Sequence, residues 1–398
     1  MKNLTNYKIR EKIVLFRADL NIPLVDGKIT DLSRLEKIKK SIVKLINQNN
    51  KIFIVSHLGR PGGKINKNFS LNFLCPYLEK IFEGNKVHFL EYFENQIIKN
   101  KISEMSFGEI CLIENIRFLK EEETNDNNFS KNFTSHFDVY VNDAFSVSHR
   151  NHASIVGFAK FLPAVAGNHL IKEIENINSF LENSKKPNMA IIGGSKISTK
   201  IQLLNNLIEQ FSTIAIGGAM ANTFLLANQQ NIGKSLIDEN LIHEATNIQL
   251  KAKKLNCKLI LPIDVVCGKN IQDTNPVYCK IEEISSDHMI LDIGEITTKL
   301  INEEIIKSKM VLWNGPVGAF EYKPYDKATN EIAKIIKSNA KKFNIDTLAG
   351  GGDTISAIKN TNAEDGFDYI SNAGGAFLEW LEGNESPGVT ALKENNFS

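Results

Sequence analysis

A chain of 398 residues exceeds one ordinary core and suggests two domains, while 42% hydrophobic and 23% charged residues exclude a disordered chain. With 47 basic and 46 acidic residues the net charge is +1, which excludes nucleic-acid binding by bulk electrostatics. Five cysteines, odd in number and without a CxxC pair, exclude a disulfide framework or a spaced zinc site, and no apolar run reaches the roughly 18 residues of a membrane span.

The start, "MKNLTNYKIREKIVLF", has no apolar signal core, so a cytoplasmic location is expected. Short apolar runs then recur, each bounded by charge and by polar residues or glycine, as buried parallel strands are. In the first half these are "KIVLF" before Arg17, "KIFIV" before Ser56, "EICLI" before Glu114 and "FDVYV" before Asn142. Between the first two, Arg34 to Gln48 has apolar residues at helical spacing. A helical pattern from His169 to Pro187 ends in a lysine pair and proline, and the strand series then resets. The second half has "NMAII" before Gly193, "STIAI" before Gly217, "KLILP" before Ile263, "KMVLW" before Asn314, "DTLA" before Gly350 and "DYI" before Ser371, with a helix expected over Thr199 to Phe211. Alternating strands and helices predict an α/β fold with parallel sheets and helices on both faces. Two lobes follow, 1–168 and 188–385, joined by a helix over 169–187.

In open parallel sheets ligands bind beyond the carboxyl ends of the strands. The first half places there Arg17, Asp19 and Asn21 in "RADLNIP", His57 and Arg60 in "SHLGRP", Glu114, Asn115 and Arg117 in "ENIRF", and Asn142, Asp143, His149 and Arg150 in "NDAFSVSHR". Arg34 opens a helix in "DLSR". Arginine recognises phosphate and carboxylate bidentately and stays charged. Five arginines with two histidines therefore point to a pocket for a small polyanion, in which Asp19 and Asn21 accept hydrogen bonds from a ligand hydroxyl.

The second half offers mostly glycine: Gly193 in "GGSK", Gly217 in "GGAM", Asn314 in "NGPVG", Gly350, Gly351 and Gly352 in "GGGDT", and Gly374 in "AGGA". Glycine at a strand-to-helix turn lets the backbone approach phosphates at a helix N-terminus. In "GGSKISTK", Lys196 and Lys200 lie four apart, predicting one face of the helix that the loop opens. Asp353 stands where a carboxylate can help hold Mg²⁺. No GxxxxGK followed by Ser or Thr occurs, which argues against a P-loop. An anion lobe and a nucleotide lobe together indicate phosphoryl transfer, which needs positioning and charge neutralisation more than covalent chemistry. Nothing presents itself as a general base; a carboxylate acceptor, ionised at pH 7, needs none.

In the order "RADLNIP", "DLSR", "SHLGRP", "ENIRF", "NDAFSVSHR", "GGSKIS", "GGAMANTF", "LPIDVV", "WNGPVGAFE", "GGGDT" and "AGGAFLEWLEG", the chain resembles phosphoglycerate kinases nearly end to end. That resemblance implies two Rossmann-like lobes joined by a helix and hinge across a cleft, in a cytoplasmic monomer that binds neither nucleic acid nor membrane. It implies Mg²⁺-dependent glycolytic interconversion of 1,3-bisphosphoglycerate plus ADP with 3-phosphoglycerate plus ATP. It further implies triose contacts from Asp19, Asn21, Arg34, His57, Arg60, Arg117 and Arg150. Arg34 neutralises the phosphoryl group in flight, aided by Lys196, Gly351 and Gly374. Nucleotide contacts come from Gly193, Lys196, Lys200, Gly217, Asn314, Glu321 on the ribose, Gly350, Gly351, Gly352 and Thr354, with Asp353 on the metal. The segment 386–398 is implied to return to the first lobe. In "SNAGGA", Asn372 and Ala373 replace the Thr and Gly of the family's pattern. A two-lobe sugar-nucleotide glycosyltransferase is the competing enzyme class, but it has no use for arginines at so many strand ends.

Overall fold

The computed structural model describes residues 1–25, 28–29 and 31–397; Ser398, the last residue of the tail expected to return, lies outside these. The chain forms two compact units, Met1–Glu175 with Glu385–Ser398, and Asn176–Asn384. The division falls inside the helix Asn168–Glu182 rather than at its ends.

In the first unit the strands are β1 (Ile13–Arg17), β2 (Leu24–Val25), β3 (Lys28–Ile29), β4 (Lys51–Val55), β5 (Val87–Leu90), β6 (Ile110–Ile113), β7 (Val139–Asn142) and β8 (Ala164–Ala166). Six of them build a parallel sheet in the order β5-β6-β4-β1-β7-β8, and β2 with β3 makes a small hairpin. Every residue of β6 and β7 is buried, because helices cover both faces. The helix Ser33–Asn47 turns Leu35, Ile38, Ile42 and Leu45 into that core, the spacing a 3.6-residue period dictates. From β1 the chain runs outward to β4, and from β7 it runs the other way to β8, so strand order reverses between β1 and β7. The C-terminal helix Pro387–Lys393 lies in this unit; Gly388 N–H donates to the Ser148 carbonyl at 2.8 Å, and the Asn395 amide ties to Ala159, Leu162 and Ala164.

The second unit contains β9 (Asn188–Ile192), β10 (Thr213–Ile216), β11 (Lys258–Ile260), β12 (Asp264–Gly268), β13 (Val277–Lys280), β14 (Met289–Ile293), β15 (Met310–Asn314), β16 (Asp346–Gly350) and β17 (Tyr369–Ser371). Its parallel sheet has the order β11-β10-β9-β15-β16-β17, with the reversal between β9 and β15. All ten apolar runs read as strands are strands. Missed were the edge strand β5, whose His88 and Phe89 are only half-buried, the three-residue β8, the β2–β3 hairpin, and the antiparallel sheet β13-β12-β14. β13 is only four residues long and mostly exposed, so it does not have the long buried run of a central parallel strand. Among the described residues no helix is long and apolar enough to cross a membrane.

One cluster of rings braces the first unit. Phe133 and Phe158 stack at 5.3 Å, Tyr140 meets Phe158 edge-on at 6.0 Å, and Phe137 meets Phe53 of β4 edge-on at 5.4 Å. Phe158 has no exposed surface. Phe158→Ala is therefore expected to cost about 3–5 kcal/mol, read as a lower urea midpoint at unchanged slope; a loss within experimental error of zero refutes this role.

Candidate functional site

At the reversal in the first unit, backbone groups past the strand ends are caught by side chains. Ser56 Oγ donates to the Ala18 carbonyl at 2.7 Å and accepts from Leu20 N–H at 2.8 Å, and Asn142 Oδ1 accepts from Ala144 N–H at 3.1 Å. Asp19, held by this turn, ion-pairs with Arg34 and accepts from the Ser146 hydroxyl and from Asn21 N–H. Asn21 Oδ1 in turn accepts from Gly59 N–H at 2.9 Å, whose carbonyl accepts from Arg117 Nη1 at 2.8 Å. Asp19, Asn21, Arg34, His57 and Arg117 are thus brought together around one turn. Arg60 and Arg150 stand exposed on the adjoining loops.

The electrostatics of this cluster are dominated by burial. His57, 2% exposed, is held well below its ordinary pKa by desolvation and then by the charges of Arg17, Arg117 and Arg34, so it is neutral. Desolvation, followed by Arg17, brings Arg117 down to about 10, and Arg34 is lowered by the same cause. Arg117 Nε is buried 3.8 Å from Glu123 Oε1 but makes no hydrogen bond among the described residues, and neither does buried His149 Nδ1. Burial and the Arg150 charge lower His149 to about 4. A buried guanidinium Nε without a hydrogen bond is a donor that an anion would satisfy.

Arg17, read from sequence as a ligand arginine, is corrected by its burial. It is 1% exposed; its Nε donates to Ser154 Oγ at 2.8 Å, and Ser154 donates to Glu122 Oε1 at 2.6 Å. Glu122, wholly buried, also accepts from Ser154 N–H at 2.8 Å and lies 3.6 Å from His152 Nδ1. Burial pushes the Glu122 carboxyl up, but His152, Arg17 and Ser154 outweigh it and leave it below its ordinary value. Sequence reading missed Glu122, Ser146, Ser154 and His152: "KEEE" reads as a solvated charge run, and lone serines carry no pattern.

At the reversal in the second unit the turns are built of glycine. Gly193 N–H donates to the Asn314 carbonyl at 2.9 Å, and a Cβ on Gly193 would run into the Pro316 carbonyl. Gly351, at φ +102°, opens the helix Gly352–Asn360, and Gly315 N–H donates to Thr354 Oγ1 at 2.7 Å. Asn314 Nδ2 donates to the Gly350 carbonyl at 2.7 Å, which leaves its Oδ1 to accept from Lys200 Nζ. Lys200 is 8% exposed, and desolvation lowers it to about 8 against the pull of Asp353 and Glu382. Beside these turns lies a cavity of about 270 Å³, walled by Gly194, Gly218, Leu236, Leu291, Pro316, Val317, Glu321 and Asp353 among others. Gly217 directly precedes Gly218, and Asn222, buried with its Oδ1 unpartnered among the described residues, also faces this cavity. Gly374, at φ +53°, caps the helix Gly375–Leu381 with open space around it.

Lys196 and Lys200 do not share a helical face. The helix begins at Ile201, after a 3₁₀ turn Ile197–Thr199, and Lys196 is exposed and extended. The Thr199 hydroxyl donates to the Lys196 carbonyl at 3.0 Å, a local bond that competes with helix formation. Asp353 is exposed in the first turn of its helix. No cluster of three or more His, Cys, Asp or Glu able to hold a metal exists among the described residues.

A family model described as phosphoglycerate kinase matches residues 4–384. The chain is 41% identical over 394 residues to the phosphoglycerate kinase of Brucella abortus biovar 1 (strain 9-941), covering 99% of both. It is 42% identical over 385 residues to that of Sinorhizobium fredii, covering 96% of both. The solved phosphoglycerate kinase of Coxiella burnetii superposes with a TM-score of 0.87 at 34% identity, covering 99% of both chains, and that of Pyrococcus horikoshii OT3 with 0.83 at 27%.

The Lys200 amine supplies a test that needs no ligand. Its folded pKa of about 8 lies below the ordinary 10.5, so the unfolded chain binds the extra proton between those values and stability from this group rises with pH there. The stability of Lys200→Met relative to the unsubstituted chain should be greatest below pH 8 and shrink towards 10.5 in urea unfolding. A difference independent of pH contradicts the burial of a charged amine.

Proposed function

This chain belongs to the phosphoglycerate kinase family, whose members are phosphotransferases of glycolysis, and on that premise we propose how its two sites divide the work. The reaction is reversible transfer of a phosphoryl group from 1,3-bisphosphoglycerate to ADP, giving 3-phosphoglycerate and ATP. The comparisons give no support to a glycosyltransferase.

The triose ligand is assigned to the lobe 1–168, with 386–398 belonging to it, and the nucleotide to the lobe 188–385. Asp19 and Asn21 position the ligand, and Arg34, His57, Arg60, Arg117 and Arg150 meet its anionic groups. The observation that carries this reading is the desolvated basic cluster, with Arg117 lowered to about 10 and its Nε, 3.8 Å from partly exposed Glu123, making no hydrogen bond among the described residues. Arg34 is the catalytic residue that offsets charge on the phosphoryl group as it transfers; its Asp19 pairing keeps the guanidinium placed without filling all five donors.

In the other lobe Gly193, Gly217, Gly350, Gly351, Gly352 and Thr354 form backbone turns open to nucleotide phosphates, and Gly374 does the same for the transferred group. Lys200, with exposed Lys196, supplies charge there, Asn314 orients Lys200, and Glu321 in the cavity wall receives the ribose. Mg²⁺ fits as an ion shared between one protein carboxylate and nucleotide phosphate oxygens, since Asp353 is an exposed carboxylate beside the glycine turns. Bound Mg²⁺ supplies charge neutralisation on the phosphates. The accepting carboxylate is already ionised at neutral pH, so no base is needed. We assign the protein to the cytoplasm as a monomer.

A coupled assay with 3-phosphoglycerate and MgATP tests the activity directly. Arg34→Ala is expected to lower turnover by on the order of a hundredfold or more, with the ADP dissociation constant unchanged in calorimetry. Near-normal turnover in that variant removes Arg34 from the catalytic role.

A further inference from the structure

His57 and Arg17 meet at the floor of the basic cluster, and the chemistry of the pair leaves one arrangement. A guanidinium has only donors. The 3.3 Å approach of Arg17 Nη2 to His57 Nδ1 therefore requires that nitrogen to be unprotonated. Asp19 is the competing partner, but its Oδ1 lies 4.0 Å from the same nitrogen, beyond hydrogen-bond reach. The Asp19 carboxylate is moreover already engaged by Arg34, Ser146 and Asn21 N–H. Arg17 cannot turn aside, because Ser154 and behind it Glu122 hold its Nε side in the core.

We propose that Arg17 is a positioning residue for the acid site: it fixes His57 as the neutral tautomer with hydrogen on Nε2, so that the imidazole offers an anionic ligand a donor and no acceptor. Glu122 and Ser154 hold Arg17 in place for this. The opposite tautomer turns a lone pair towards a phosphate or carboxylate oxygen and repels it. The charged groups around His57, namely Arg17, Arg34 and Arg117 against Asp19, are mostly cationic and, with titratable His152 nearby, oppose a second proton. The inference rests on the reading that His57 faces the phosphoglycerate.

Long-range ¹H–¹⁵N spectra of the histidine-labelled full chain report each ring nitrogen separately. For His57 a pyridine-like Nδ1 and a pyrrole-like Nε2 are expected throughout about pH 6 to 8, with Nε2 shifting on addition of 3-phosphoglycerate. Arg17→Met should give mixed tautomers and raise KM for 3-phosphoglycerate about tenfold, with KM for MgATP within about twofold. Arg17→Lys, which keeps one donor, should recover part of that loss. A proton on Nδ1 in the unsubstituted protein, or an unchanged tautomer in Arg17→Met, overturns the proposal. If the ligand shifts neither nitrogen and His57→Gln keeps its KM, the placement of His57 at the ligand fails instead, while the tautomer result still stands. Should Arg17→Met not fold, the spectrum of the unsubstituted protein decides alone.

Discussion

Where strand order reverses in an open parallel sheet, neighbouring chains leave in opposite directions, and the peptide groups just past the strand ends lose their ladder partners. Each unit meets this constraint once, between β1 and β7 and between β9 and β15. The first meets it with side chains, using Ser56 and Asn142 on loose backbone groups and Asp19 as the anchor for Arg34. The second meets it with backbone, packing Gly193 against Gly315 and Pro316 so closely that no Cβ fits. One edge thereby becomes a surface of side-chain charge, and the other a set of closely packed glycine turns.

The same sites carry an electrostatic imbalance that folding alone does not require. Glu122 is a buried carboxylate with a full set of partners, and it stays ionised. Arg117 and Lys200 are buried groups whose charged forms desolvation penalises, and the acids that pull the other way, Glu123 and Glu122 on Arg117 and Asp353 and Glu382 on Lys200, do not offset it. Solvent-screened surface pairs such as Lys101–Glu104 do not alter this balance. Positive charge kept in low dielectric strengthens attraction to an arriving anion, since water no longer screens it.

Much of the architecture was legible because a parallel strand buried on both faces must be an unbroken apolar run, as the ten runs from "KIVLF" to "DYI" are. That logic fails where burial is partial. β5 contains His88 on a half-exposed edge, β13 is nearly all exposed, and β8 has only Ala164, Val165 and Ala166. Helix starts were also misread where hydroxyls intervene: Thr199 turns its side chain to the backbone, and the helix waits until Ile201.

Within the site, residue types were legible and their burial was not. Arg17, Arg34 and Arg117 all follow strands or open a helix, so sequence treats them alike. What separates them is the surroundings in three dimensions: Arg17 meets Ser154, which is 137 positions away in the chain, while Arg34 meets Asp19. An arginine becomes a ligand residue when its guanidinium keeps donors to spare at the surface of the site, and a structural one when the core uses them. Glu122 decides that outcome for Arg17, and no local pattern in "KEEE" distinguishes it from Glu121 or Glu123.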